Sequence, residues 1–146
     1  MRSIMPFTIR YSETDMMGVV HHANYALYFE DARTRFLDDL GYPYAQIEDE
    51  GYMSPVVSLS LSYGKPLRYG KDKPLVATTL IALSHMKATF HYEVFENEEA
   101  FAGKAKPNCT GESVHCLVDA TSFKPVSMRK ATPKLFELYQ NALEQL

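Results

Sequence analysis

The sequence predicts an α+β fold: one antiparallel sheet curled around a single long central helix, with a short helix closing the chain. Three observations carry this expectation. Tyr25, Tyr28, Phe29, Ala32, Phe36 and Leu40 recur at spacings of three and four, which is the period of a helix. Strand-like runs between residues 55 and 120 are separated by connections too short for parallel crossovers, so the strands should pair antiparallel. Of the 146 residues 46% are hydrophobic, so residues 1–146 read as one domain that buries a core without disulfides or a structural metal.

Taken in order, "IMPFTIR" (4 to 10) reads as a short first strand. The helix spans 24 to 40, with Asn24 as its N-cap and Gly41 followed by Pro43 as its stop. Its opening turns, "YALYF", are apolar almost all round and should be covered on several sides. In "PVVSLSLSY" (55 to 63) Val57, Leu59, Leu61 and Tyr63 alternate with Ser58, Ser60 and Ser62, the pattern of a half-buried strand. Strands are then expected at 74–83, 88–96, 100–107 and 112–120. Thr132 and Pro133 open a terminal amphipathic helix bearing Leu135, Phe136, Leu138, Tyr139 and Leu143.

The formal charge of -3 argues against a dedicated nucleic-acid binder, which normally carries a basic stripe. The one basic cluster is "GKPLRYGKDK" (64 to 73), where Lys65, Arg68, Lys71 and Lys73 face Asp72. It is either a local seat for a polyanionic ligand or a solvated loop. Cys109 and Cys116 lie seven apart in what reads as one strand, so their side chains should point to opposite faces as reduced thiols. No stretch has the length of a membrane span and the first residues lack the apolar block of a signal peptide, so the expected location is cytoplasmic.

The chemistry concentrates in "TDMMGVVHHANYALYFEDAR" (14 to 33). A helix start leaves amide N–H groups unpaired and carries partial positive charge, so it can bind an anion or polarise a carbonyl. Gly18 permits a sharp turn upstream, so Asp15 could fold back over the same point and act as a general base or a nucleophile. Alternatively Asp15 only caps that turn, His22 only caps the helix, His21 is a surface neighbour, and the aromatics Tyr25, Tyr28 and Phe29 are core. Adjacent histidines should diverge in direction, and no H-x-x-x-H spacing or nearby cysteine completes a site, so no metal is expected.

Tyr11, Thr14-Asp15, Gly18-Val19-Val20, His22-Ala23-Asn24-Tyr25, Tyr28-Phe29-Glu30 and Ala32-Arg33 resemble the signature of the 4-hydroxybenzoyl-CoA thioesterase branch of the hotdog-fold acyl-CoA thioesterases, especially its YbgC-like hydrolases. The resemblance implies hydrolysis of an acyl-CoA to free acid and coenzyme A. Asp15 would be the catalytic carboxylate, as general base or through a mixed anhydride, and the amide near His22 the oxyanion donor. Tyr11 and the His22 side chain would assist. Coenzyme A would enter as part of the substrate, with no separate cofactor. The family's assemblies imply a homodimer or homotetramer with Val56, Val57 and Ser58 of a partner lining the acyl pocket, beside Gly18 and Tyr25. Position 21, aromatic in the family motif, is histidine here and adds a titrating group. For the coenzyme A phosphates "SHMKAT" (84 to 89) offers Lys87 and His85, with Lys65 and Arg68 as further candidates. An acyl carrier protein would present the same pantetheine arm on a different surface.

Two other classes compete. A hydratase would need an Asp and His within an asparagine-containing motif, which is absent here. A non-catalytic binder of acyl thioesters needs no carboxylate at the scissile bond, so Asp15 speaks against it. Seven methionines, ten tyrosines and eight phenylalanines suit an aliphatic or an aromatic pocket; the resemblance favours aliphatic chains of short to medium length.

Overall fold

A computed structural model of the chain describes residues 1–144; the last two residues of the expected domain lie outside the described residues. Five strands, β1 (Arg2–Pro6), β3 (Val56–Tyr63), β4 (Leu75–Leu83), β5 (Ala88–Phe95) and β6 (Cys109–His115), form an antiparallel sheet in the order β1-β4-β5-β6-β3. Helix α1 (Asn24–Leu40) packs on one face of it. Gly41, at φ +89°, ends α1 in the left-handed conformation that glycine adopts without strain.

The core is aromatic. Phe29 of α1 stacks on Tyr92 of β5 with ring centroids 4.6 Å apart. Phe36 of α1 and Tyr139 of α5 (Pro133–Glu144) both meet Phe90 edge-on. Phe29 fits because position 111 carries no side chain: a Cβ there would collide with the Phe29 ring and stand 2.8 Å from the Ser60 carbonyl oxygen. α1 thus sinks onto the sheet where β6 is thinnest.

Several expectations need correction. Residues 100–107 are not a strand: α3 (Glu98–Ala102) runs into them, capped by the Asn97 side chain, which accepts from the Ala100 N–H at 2.8 Å. Phe101 and Ala100 cover Leu75, Ala77 and Phe95 on the back of the sheet, so their apolarity serves a helix face. The expected strand 112–120 starts earlier and breaks in two, as β6 and β7 (Leu117–Asp119), and Cys116 falls in the break. Both cysteines are free, Cys109 buried and Cys116 half-buried, but they do not share a strand. β1 ends at Pro6, short of residue 10, and a 3-10 turn follows at Tyr11–Glu13. The linking stretch after α1 contains α2 (Tyr44–Asp49) and β2 (Tyr52–Met53), and β2 joins β7 and β8 (Pro125–Val126) in a small second sheet. α4 (Met128–Ala131) precedes α5, which starts at the expected Thr132-Pro133.

β3 differs most. Its alternation predicts one buried face, yet within the chain it is an edge strand with only Leu61 partly buried. Val56, Val57, Leu59 and Tyr63 are all exposed. The flank of α1 beside it is open too, with Leu27 exposed, so the helix start is not covered all round.

Candidate active site

Two strips of irregular backbone build the surface in front of α1. Thr14 bridges Val20, and Val19 bridges Arg68. The Val20 N–H donates to the Leu67 carbonyl and the Tyr69 N–H to the Gly18 carbonyl, each at 3.0 Å. Gly18 takes φ +75°, a conformation strained for other residues, and the chain reverses so that the Asp15 N–H reaches the Val19 carbonyl at 2.9 Å. The exposed Asp15 carboxylate uses Oδ1 to accept from the Met17 N–H (2.8 Å) and the Val19 N–H (3.4 Å). One oxygen therefore caps the turn, as one of the two readings expects, and the other, Oδ2, has no partner among the described residues.

Glu13 fixes this turn to the helix. Its carbonyl accepts from the His21 N–H and from the Asn24 side-chain amide, both at 2.9 Å. Asn24 is therefore a clamp and the first helical residue, while Ala23 holds the cap position without a side-chain hydrogen bond. The Glu13 side chain is buried and accepts from the Arg10 N–H (2.7 Å) and the Tyr28 hydroxyl (3.0 Å). Burial, and then the neighbouring Glu13 carboxylate, hold the Tyr28 hydroxyl far above its ordinary pKa, so it stays a donor.

Most amides of the helix start are spent locally. The Ala23 N–H meets His21 Nδ1 at 3.3 Å, the Asn24 N–H the His21 carbonyl at 3.0 Å, and the Tyr25 N–H the His22 carbonyl at 3.4 Å. The His22 N–H has no acceptor among the described residues. An unpaired donor at the positive end of a 17-residue helix suits a carbonyl oxygen that becomes an oxyanion. The His22 ring is exposed and meets Tyr63 edge-on; it does not diverge from its neighbour as expected but lies against the His21 ring, centroids 4.3 Å apart. Tyr63, the last residue of β3, donates its hydroxyl to the His22 carbonyl at 3.3 Å.

The other expected residues divide between the two ends of the sheet. Tyr11 is exposed and meets Tyr69 edge-on on the Asp15 side. Tyr25 lies buried beneath the helix start, its hydroxyl accepting from the Leu67 N–H at 3.4 Å. Lys65 pairs with Glu96 and Arg68 with Asp72, both at 3.3 Å, at the rim of the same end. Val56, Val57, Ser58 and Lys87 belong to the opposite end, because β3 runs from Val56 beside His115 to Tyr63 beside Cys109 and Ala88 also pairs with His115. Seven residues of strand separate the ends by about 23 Å. Lys87 sits in the β4–β5 turn, its N–H on Ser84 Oγ at 3.0 Å.

Two contributors escaped the sequence reading. Tyr63 was visible only as one member of the β3 alternation, and Glu13 carried a signal in lying three residues after Arg10, the spacing of their reciprocal cap. Among the described residues no group of three or more His, Cys, Asp or Glu side chains is arranged to hold a metal ion, and no helix is long and apolar enough to cross a membrane.

The model of the thioesterase-like superfamily matches residues 9–136, a span that takes in the Asp15 turn, α1 and the whole sheet except β1. The chain belongs to that superfamily. Its relatives include the Bacillus subtilis protein named "Putative acyl-CoA thioesterase YneP", 40% identical over 134 residues that cover 92% of each chain. The Escherichia coli acyl-CoA thioester hydrolase YbgC is 25% identical over 126 residues, 86% of this chain and 89% of that one. Among solved structures, the DHNA-CoA thioesterase of Staphylococcus aureus superposes with a TM-score of 0.85 at 33% identity, over 96% of this chain and 89% of the other. The sheet curled on α1 is thus the hotdog fold of a thioesterase-like hydrolase.

Proposed function

We propose that the protein hydrolyses an acyl-CoA thioester to the free acid and coenzyme A. The single observation that carries this reading is that the Asp15 turn, with one carboxylate oxygen unpartnered, is tied through the Glu13 carbonyl to the start of α1, where the His22 N–H has no acceptor among the described residues. The thioester carbonyl oxygen accepts from the His22 N–H, so the negative charge that develops on it meets the positive helix end. Asp15 Oδ2 takes a proton from water as the water oxygen bonds to the carbonyl carbon. The tetrahedral intermediate then expels the thiolate, and the proton passes from Asp15 to sulfur. The His22 ring and Tyr11 lie where they can orient the water or the carboxylate. General base is favoured over anhydride because Oδ1, tied into its turn, limits the swing that direct attack requires.

The site is completed by a second copy. β3 is an exposed edge with apolar side chains, the kind of strand that proteins otherwise pair or cover. Antiparallel pairing of two β3 edges brings Val56, Val57 and Ser58 of one protomer to the Tyr63 end of its partner. Lys65, Arg68 and Lys87 then remain at the rims as candidates for the coenzyme A phosphates.

The test is thiol release from acyl-CoAs ranging from acetyl to palmitoyl and including benzoyl and phenylacetyl forms. Turnover on a subset is the expected result. No turnover on any of them, with carrier-protein thioesters cleaved instead, would move the substrate to the acyl carrier protein class.

A further inference from the structure

Between the open flank of α1 and β3 lies a cavity of about 120 Å³ whose walls are apolar and whose floor is not. Leu27, Phe29, Val56 and Leu59 form the walls. Arg33, Ser113 and His115 form the floor, with Glu30 at the side. Arg33 is only 6% exposed, and its Nε and Nη1 have no hydrogen-bond partner. No carboxylate forms an ion pair with it among the described residues. The Tyr44 ring, its centroid 5.6 Å from the Arg33 Cζ, gives the guanidinium an aromatic face but no acceptor, and a buried guanidinium without a counter-ion is unfavourable unless something completes it.

The one carboxylate that lines the cavity, Glu30, forms no ion pair with Arg33, and the remaining lining residues are neutral. His115 is 3% exposed, its Nε2 is engaged with Ser113 Oγ at 2.7 Å, and its Nδ1 lies toward the Ser54 and Pro55 backbone without a well-formed hydrogen bond. Ser113 Oγ is in turn 2.6 Å from the Tyr92 hydroxyl. Burial and the positive Arg33 push the His115 imidazolium down to about 3, so the ring is neutral near pH 7. Glu30, one turn before Arg33 on α1, is exposed and leaves the guanidinium unpaired.

We infer that this cavity is an acyl-end subsite that selects acyl groups carrying a carboxylate at the end remote from the thioester. The inference rests on the proposed thioesterase reading for its geometry. Arg33 lies nine residues along α1 from Asn24, about 13 Å, and its side chain leans back toward the helix start. The carboxylate is therefore met roughly 10 Å from the thioester carbonyl, the reach of an eight-carbon dicarboxylic acyl chain. Leu27, Phe29 and Leu59 hold its methylenes, and the Arg33 guanidinium meets its terminus. At about 30 Å³ per water the cavity has room for roughly four waters, so it fits the end of an acyl chain and not the whole of it.

The experiment compares suberyl-CoA with octanoyl-CoA, which differ only at the far end of the chain, by kcat/KM in the wild type and in Arg33→Met. The wild type should prefer suberyl-CoA by at least tenfold. Arg33→Met should lose most of that preference while keeping octanoyl-CoA turnover within a few-fold. If the variant does not fold, the wild-type ratio still decides. Independently, suberate but not octanoate should shift the Arg33 Nε–H resonance of the nitrogen-15-labelled protein. Hydrolysis of octanoyl-CoA with equal or lower activity on suberyl-CoA, and no shift by suberate, overturns the subsite and leaves the thioesterase reading standing. A suberate shift without hydrolysis of either thioester does the reverse.

Discussion

The Tyr63 hydroxyl donates to the His22 carbonyl at 3.3 Å, so the last residue of β3 holds the residue whose free amide faces the candidate carbonyl site. The same ring meets Tyr25 edge-on, 5.7 Å between centroids, and so bridges the exposed and buried parts of the helix start. Tyr63→Phe keeps the ring contacts and removes the hydrogen bond. It should lower kcat about three- to tenfold and leave thermal stability within roughly 1 kcal/mol, the scale of one hydrogen bond. Steady-state kinetics beside a denaturation curve checks this, and unchanged kcat would separate Tyr63 from the site.

Gly111 faces Phe29 with no space for a methyl group. Gly111→Ala should destabilise the fold by about 1–3 kcal/mol, the scale of overpacking a filled core, read as a lowered urea midpoint. Loss of the Phe29–Tyr92 stack should accompany it in the near-ultraviolet circular dichroism.

His115 links stability to pH. Its folded pKa is lowered to about 3, first by burial and then by Arg33, from an ordinary value near 6.5. Between those values the unfolded chain binds a proton that the folded chain does not, so stability falls as pH drops from about 6.5 toward 3. This group alone contributes a slope of up to about 1.4 kcal/mol per pH unit. His115→Gln should flatten the profile in that window. A profile as steep as that of the wild type would place the dependence elsewhere.

The exposed β3 edge predicts an assembly whose loss removes the pocket wall. Val57→Lys puts a charge on the strand and should shift the protein toward monomer in sedimentation velocity, with turnover falling in step. A wild type that sediments as a monomer at micromolar concentration and still turns over would contradict the shared pocket.

Much of this was legible in the residues. α1 showed itself because seven of its side chains are buried at helical spacing, and Gly41 ended it as expected. The Asp15 turn was readable because only Gly18 suits φ +75° there. β3 was misjudged because alternation reports that one face is meant to be covered, not that the same chain covers it. Residues 100–107 misled because Phe101 and Ala100 cover the back of the sheet from a five-residue helix too short to show a period. Tyr63 was hidden because it acts through a hydrogen bond to a backbone carbonyl, which no spacing pattern displays, and Glu13 left only its three-residue spacing from Arg10 as a sign.

The central claim is that the free oxygen of Asp15 removes a proton from water beside the His22 amide. The most direct measurement is thiol release by Asp15→Asn against wild type on whichever acyl-CoA is turned over fastest. The substituted amide keeps an oxygen that can accept from the Met17 and Val19 N–H groups, so the turn should persist while the base is lost. The account predicts a loss of two to three powers of ten in kcat, on the order expected for a positioned base, with the folded structure intact. A variant that hydrolyses the thioester at near wild-type rate would contradict it and leave Asp15 only as the cap of its turn.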